Sequence, residues 1–178
     1  MRKSKQIRII SGEFGGRLID TPNTNTTQPM GDRERMAIFN RLRGEISGKV
    51  ILDAFAGSGA LGLEALSLGA AEVDFLENNP EAIRTIKSNL KKLEQSASIV
   101  KKPTRDYDLI FADPPYPNPQ YDFCAELAGH LKKNGYFVLS HPSVPFPPEF
   151  TGLELIGDKK YAAAHIKIYR KNKQENKK

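Results

Sequence analysis

From residue 49 onward the chain alternates short strand-like apolar runs with helical stretches, and this alternation restricts the fold more than any other feature. The runs at 50–54, 73–76 and 99–100 read as buried strands, while Ser58 to about Leu68 and Pro80 to about Leu93 read as helices. A βαβαβ order makes a parallel sheet, because each strand returns alongside its predecessor through a helical crossover. The pattern continues with a strand at 108–112, a helix from about Asp122 to Lys132 and a strand at 136–140. Two late runs, 153–156 and 165–169, fit an antiparallel hairpin at one sheet edge.

Upstream, 7–10 and 17–20 alternate apolar and polar residues around Gly12 and the pair Gly15-Gly16, which suits a small N-terminal β-hairpin. A Thr/Asn/Pro loop over 21–31 leads to a helix starting near Asp32, read as its N-cap. Met36, Phe39 and Leu42 lie at helical spacing there, with Arg33, Arg35, Arg41 and Arg43 mostly on other faces, and Gly44 and Gly48 bracket the helix end. The expected organisation is an extension over 1–48, a sheet domain over 49–170 and a basic, disordered tail over 171–178.

At 178 residues the chain fits one domain, and 27% charged with 39% hydrophobic residues places it among water-soluble globular proteins. No apolar stretch of signal-peptide or membrane-spanning length occurs, so the expected location is the cytoplasm and no membrane partner is expected. The single cysteine, Cys124, excludes an internal disulfide and offers no thiol cluster for zinc; no metal is expected. The net charge is +6, with Lys and Arg concentrated in the first fifty residues and the last dozen, which favours a polyanionic partner.

The sequence Asp53-Ala-Phe55-Ala-Gly57-Ser-Gly59-Ala-Leu-Gly62 follows a buried strand and opens a helix. Glycines at such a turn let the backbone bend sharply and let a ligand approach, which suits a nucleoside-type cofactor. Gly57-x-Gly59-x-x-Gly62 also fits a dinucleotide fingerprint. Asp53, ahead of the first glycine, favours S-adenosylmethionine instead, because a carboxylate suits a cationic methionyl end and repels a pyrophosphate. Glu77, followed by Asn78, ends the next strand, where a carboxylate accepts hydrogen bonds from both ribose hydroxyls. The candidate cofactor residues are Asp53, Phe55, Gly57, Gly59, Glu77 and Asn78.

The apolar strand at 108–112 runs directly into Asp113-Pro114-Pro115-Tyr116, at the same edge of the sheet as the glycine loop. An exocyclic amine on a nucleobase is a poor nucleophile, because its lone pair is delocalised into the ring. The Asp113 carboxylate and the Pro114 carbonyl can each accept one amino hydrogen, which localises the lone pair and stabilises the developing positive charge. Consecutive prolines hold these acceptors in one geometry. Tyr116 offers a face on which the target base can stack.

With both motifs placed, the chain resembles the RsmD family of bacterial 16S ribosomal RNA guanine-N2 methyltransferases. The resemblance rests most on Asp53 to Leu68, DAFAGSGALGLEALSL, on the Asp-Pro-Pro-Tyr turn, on Ile7-Arg8-Ile9-Ile10-Ser11-Gly12 with Gly16-Arg17, on Asp32-Arg33 and Ile38-Phe39-Asn40, and on the closing 166–170. It implies a class I S-adenosylmethionine-dependent methyltransferase fold, Rossmann-like and α/β, with a mostly parallel sheet and an antiparallel C-terminal strand. It also implies a basic N-terminal hairpin that holds RNA and a flipped-out guanine methylated at N2 during small-subunit assembly. The chain departs from the family's Arg-Pro-Thr before the Asp-Arg pair, and its segment 101–106 is shorter than usual.

The resulting expectation is methyl transfer from S-adenosylmethionine to a guanine N2 in 16S ribosomal RNA, free or in an assembling small subunit. Asp113, Pro114, Pro115 and Tyr116 form the catalytic turn, and Arg2, Lys3, Lys5, Arg8, Arg17, Asp32 and Arg33 contact RNA. A monomer is expected. Rival readings are methylation of adenine N6 or another amine, a non-catalytic RNA-binding assembly factor, and a nicotinamide oxidoreductase. No candidate for hydride chemistry lies near the turn, and His130, His141 and His165 read as ordinary helix, strand-end and sheet positions.

Overall fold

The structure is a computed structural model that describes residues 5–23, 30–161 and 164–172. Arg2, Lys3 and most of the expected tail lie outside the described residues. The N-terminal hairpin pairs β1 (Gln6–Arg8) with β2 (Leu18–Asp20) in antiparallel register. A seven-stranded sheet follows in the order β5-β4-β3-β6-β7-β9-β8. Its members are β3 (Val50–Ala54), β4 (Glu72–Leu76), β5 (Ser98–Val100), β6 (Tyr107–Ala112), β7 (Leu131–His141), β8 (Leu153–Lys160) and β9 (His165–Lys171). The strands from β3 to β7 pair in parallel, and β9 runs antiparallel to both β7 and β8.

Strand alternation sends successive side chains to opposite faces, and each face has its own apolar layer. Ile51, Val73, Phe75, Leu109, Phe111 and Val138 pack under α1 (Asp32–Arg41), α2 (Ala60–Ser67), α3 (Pro80–Lys92) and the hairpin. Leu52, Ile110, Phe137 and Leu139 pack under α4 (Tyr121–Gly129). The chain runs outward from β3 to β5, then returns to place β6 on the other side of β3. The gap between β3 and β6 is therefore the switch point at which open α/β sheets bind ligands.

Three local expectations are corrected. The N-cap of α1 is Gly31, and Asp32 is the first helical residue, with no side-chain capping bond. Helix α4 ends at Gly129, so Lys132 lies in β7, whose Leu131 already pairs with Tyr107. On α1 the inward residues are Arg35, Ile38, Phe39 and Leu42, whereas Met36 is 48% exposed.

Arg35 is buried because it has partners that Met36 lacks. Its guanidinium donates to the Arg8 carbonyl at 3.0 Å and to Asp32, and it lies 3.9 Å from the fully buried Glu64 of α2. Glu64 accepts the backbone N–H of Ile10 at 2.6 Å, and the Ser67 hydroxyl accepts that of Phe14 at 2.8 Å. Burial raises the Glu64 carboxyl above its usual range, opposed by the Ile10 amide and the Arg35 charge. One pair of charges thus ties the hairpin, α1 and α2 together.

Arg35→Met leaves Glu64 buried without its cation, and the expected loss is about 3 kcal/mol. Urea unfolding checks this through a lowered midpoint. Adding Glu64→Gln to Arg35→Met should recover much of the loss, and a double-variant loss equal to the sum of the Arg35→Met and Glu64→Gln losses would show that the two side chains are not coupled.

Candidate active site

The loop after β3 turns by placing alternate residues in left-handed backbone conformation: Phe55 at φ 59°, Gly57 at 56° and Gly59 at 79°. Glycine adopts this freely, but Phe55 does so at a cost of about 1–3 kcal/mol, a strain typical of functional loops. Its ring is held edge-on to Phe123 of α4 at 5.8 Å. At Gly62 a Cβ would lie 2.3 Å from the Phe75 ring, so only glycine lets α2 pack this close to β4.

Asp53, on β3, is 2% exposed and accepts the Gly62 N–H at 2.8 Å, so it also satisfies an amide of the first turn of α2. Burial pushes its carboxyl well above the usual range, the Gly62 bond opposes this, and the charges of Asp113 and Glu77 add to the rise. Glu77, just past β4, accepts the Gly57 N–H through Oε2 at 2.8 Å and the N–H groups of Asn78 and Asn79 through Oε1, each at 2.8 Å. Two amides occupy Oε1 and one occupies Oε2, so Oε2 keeps the freer lone pair. Asn78 is exposed beside it.

Asp113 follows the last residue of β6 on the same face as Asp53. Burial raises its carboxyl to about 6, against a hydrogen bond from Ser140 that lowers it. Asn118 closes the turn by donating to the Pro115 carbonyl at 3.0 Å, and among the described residues no donor takes the Pro114 carbonyl. The Tyr116 hydroxyl lies 2.6 Å from Ser140 Oγ. Burial, reinforced by the Asp113 charge, pushes the phenol up to about 12, so it remains protonated. An ionised Asp113 only accepts, which orients the chain of bonds from Tyr116 through Ser140 to Asp113.

Ser140 is the residue that motif reading missed. It sits within an apolar strand, 1% exposed, with nothing around it in sequence to mark it. Only the parallel register, in which Ala112 pairs with Leu139, brings it beside Asp113. Cys124, pushed up to about 12 by burial, is an inert thiol.

The expected RNA contacts are dispersed. Lys5, Arg8 and Arg17 are exposed on the hairpin, where Arg8 donates to the Gly16 carbonyl at 3.0 Å and Arg17 to the Lys92 carbonyl. Arg33 is exposed on the first turn of α1, while Asp32 is engaged with Arg35. Among the described residues no helix is long and apolar enough to cross a membrane, and no cluster of His, Cys, Asp and Glu could hold a metal ion.

A glycine loop at the switch point, carboxylates at successive strand ends and an antiparallel last strand define the class I methyltransferase fold. The solved structure of YhhF from Escherichia coli superposes with a TM-score of 0.84 at 28% identity, covering 96% of this chain and 100% of that one. The chain belongs to the RsmD family: the family model described as Conserved hypothetical protein 95 matches residues 7–170. The ribosomal RNA small subunit methyltransferase D of E. coli is 36% identical over 144 residues, 76% of this chain and 71% of its own length. YlbH of Bacillus subtilis is 32% identical over 182 residues, covering 93% and 99%.

The Asp113 carboxyl should titrate with a midpoint near 6 when followed by carbon-13 NMR. Because the Ser140 bond favours the ionised form, Ser140→Ala should move that midpoint upward and Ser140→Thr should restore it. A midpoint unchanged in Ser140→Ala would show that the hydroxyl does not reach Asp113.

Proposed function

We propose that this protein binds S-adenosylmethionine and transfers its methyl group to the exocyclic N2 of a guanine in 16S ribosomal RNA. The observation that carries this reading is the convergence of Asp53, Glu77 and Asp113 at one switch point, with Asp113 mounted on a Pro-Pro turn. Such a floor repels pyrophosphate and suits a cofactor with a sulfonium and an ammonium. The names of the curated relatives support ribosomal RNA as the substrate, and the family resemblance supports N2 as the atom.

The residues fit the cofactor in kind. Gly57 and Gly59 leave the loop open to a close ligand, and the freer lone pair on Oε2 of Glu77 suits a ribose hydroxyl. When bound, S-adenosylmethionine supplies an electrophilic methyl carbon. Asp113 accepts one hydrogen of the amine and the Pro114 carbonyl accepts the other, which turns the nitrogen lone pair out of conjugation. Positive charge developing on the nitrogen during methyl transfer would be stabilised by the adjacent Asp113 carboxylate. Asp113 then holds the released proton, a role its raised basicity favours. Tyr116, fixed through Ser140, supplies a wall for the base.

Labelled methyl transfer to small-subunit particles and to naked 16S RNA, with the product mapped by mass spectrometry, tests the reading. Label is expected at a guanine N2, and Asp113→Ala should lower kcat by about 10²–10⁴-fold. Because the ionised carboxylate is the working form, kcat/KM should fall as pH drops through about 6. Label at another base, or full activity in Asp113→Ala, would overturn it.

A further inference from the structure

The register of the sheet carries the line of the catalytic turn across to a region with no role so far. Asp113 stands beside Ser140, Ser140 pairs with Ile166, and Ile166 pairs with Lys159. At strand spacings near 4.8 Å, Lys159 therefore lies about 14 Å from Asp113 along the same end of the sheet. Lys160, also exposed, is paired with His165, and His165 with His141 at the end of β7.

Successive strand residues point to opposite faces, so Lys160, paired with His165, shares the face of an unusual aromatic, whereas Lys159 points to the other face with its ammonium 5.6 Å over the Tyr161 ring. Phe146 is 66% exposed and Val144 76%, two of the few large hydrophobic side chains that the fold leaves in solvent. Phe146 lies in a Val-Pro-Phe-Pro-Pro segment whose backbone the prolines stiffen. The Tyr121 hydroxyl anchors this segment by donating to the Pro145 carbonyl at 2.6 Å. The Phe146 ring meets His141 and His165 in tilted, edge-type contacts, both at 6.4 Å between centroids. Burial lowers the pKa of His141, which disfavours its charged form. The ring is thus displayed rather than packed.

We propose that this rim, formed by Phe146 with Lys160, is a second RNA-binding surface that takes unpaired nucleotides flanking the target base. The reading rests on the proposed function, since it assigns part of the same substrate. An exposed aromatic beside a cation is the pattern that grips single strands, with the ring stacking on a base and Lys160 pairing with a phosphate. The rim occupies the β9-β8 edge, whereas the hairpin rests on α2 and α3, so the two surfaces flank the turn from different sides. A second copy of the chain is a poorer occupant, because it would bring a net +6 chain against this lysine.

The test is fluorescence anisotropy of the full chain with a labelled single-stranded RNA of mixed sequence, repeated over a range of salt. Phe146→Ala should weaken binding about tenfold while leaving the salt slope unchanged, and Phe146→Tyr should bind like the parent. Lys160→Gln should flatten the slope of log affinity against log salt by about 0.7, the share of one phosphate no longer neutralised. Melting temperature serves as the folding control. Parent affinity retained in Phe146→Ala would overturn the proposal, as would a parent dimer that Phe146→Ala dissociates in sedimentation. Methyl transfer by the parent separates the failures. If the parent methylates RNA and the rim variants bind normally, the rim reading alone falls; if the parent binds RNA but transfers no methyl group, the catalytic reading falls and the rim result stands.

Discussion

The placement of carboxylates at the carboxyl ends of β3, β4 and β6 is the constraint on which the rest of the site depends. Asp53 and Asp113 both resist ionisation because of burial, and Asp53 also feels the charges of Asp113 and Glu77. Backbone amides offset part of this: Gly62 serves Asp53, and Gly57, Asn78 and Asn79 serve Glu77. The Gly57 and Gly62 amides are aimed at these carboxylates by a loop that passes through left-handed conformations at Phe55, Gly57 and Gly59. Backbone strain and electrostatic repulsion are therefore two sides of one arrangement, and a bound cation relieves the second.

The N-terminal segment belongs to the same framework. Ile9, Phe14 and Ile19 share an apolar layer with Ile51, Leu63 and Phe75. Asn89 of α3 donates to the carbonyls of Asp20 and Ser58 and accepts the Asp20 N–H, so one buried amide joins the hairpin to the glycine loop. With Arg35 and Glu64 it fixes the hairpin against the sheet layer. Any RNA held by Arg8 or Arg17 would be held at a set distance from the turn.

Sheet class, the alternation of strands and helices and both motifs were legible in the sequence because each is a local pattern: apolar runs of strand length, a glycine loop between strand and helix, and prolines after a strand. Three features were not legible, and each depends on a distant partner. Arg35 reads as a solvent-facing charge until Glu64, on another helix, makes its burial tolerable. Ser140 reads as a polar lapse in a strand until the register sets it against Asp113. The end of α4 depends on Leu131 joining Tyr107, which stops the helix earlier than its own residues would. Helical periodicity could equally have placed Met36 in the core, since its spacing to Phe39 suits either face.

Charge is segregated over the molecule, and that segregation bears on how a polyanion could deliver one base. The chain carries a net +6, yet the floor of the site is lined by Asp53, Glu77 and Asp113. A phosphate brought within about 4 Å of one such carboxylate would be opposed by about 4 kcal/mol at the effective dielectric of a partly solvated site. A neutral base meets no such opposition and can offer its amino hydrogens to Asp113. On the proposed reading the substrate must therefore be sorted by charge, phosphates outside and base inside, which requires a nucleotide free of its pairing partner. A rigid duplex cannot satisfy both demands, whereas an unpaired segment can, because rotation about its backbone separates base from phosphate. On that reading the acidic floor selects for an unpaired base that carries an amino group, and discrimination among such bases is left to the walls around the turn.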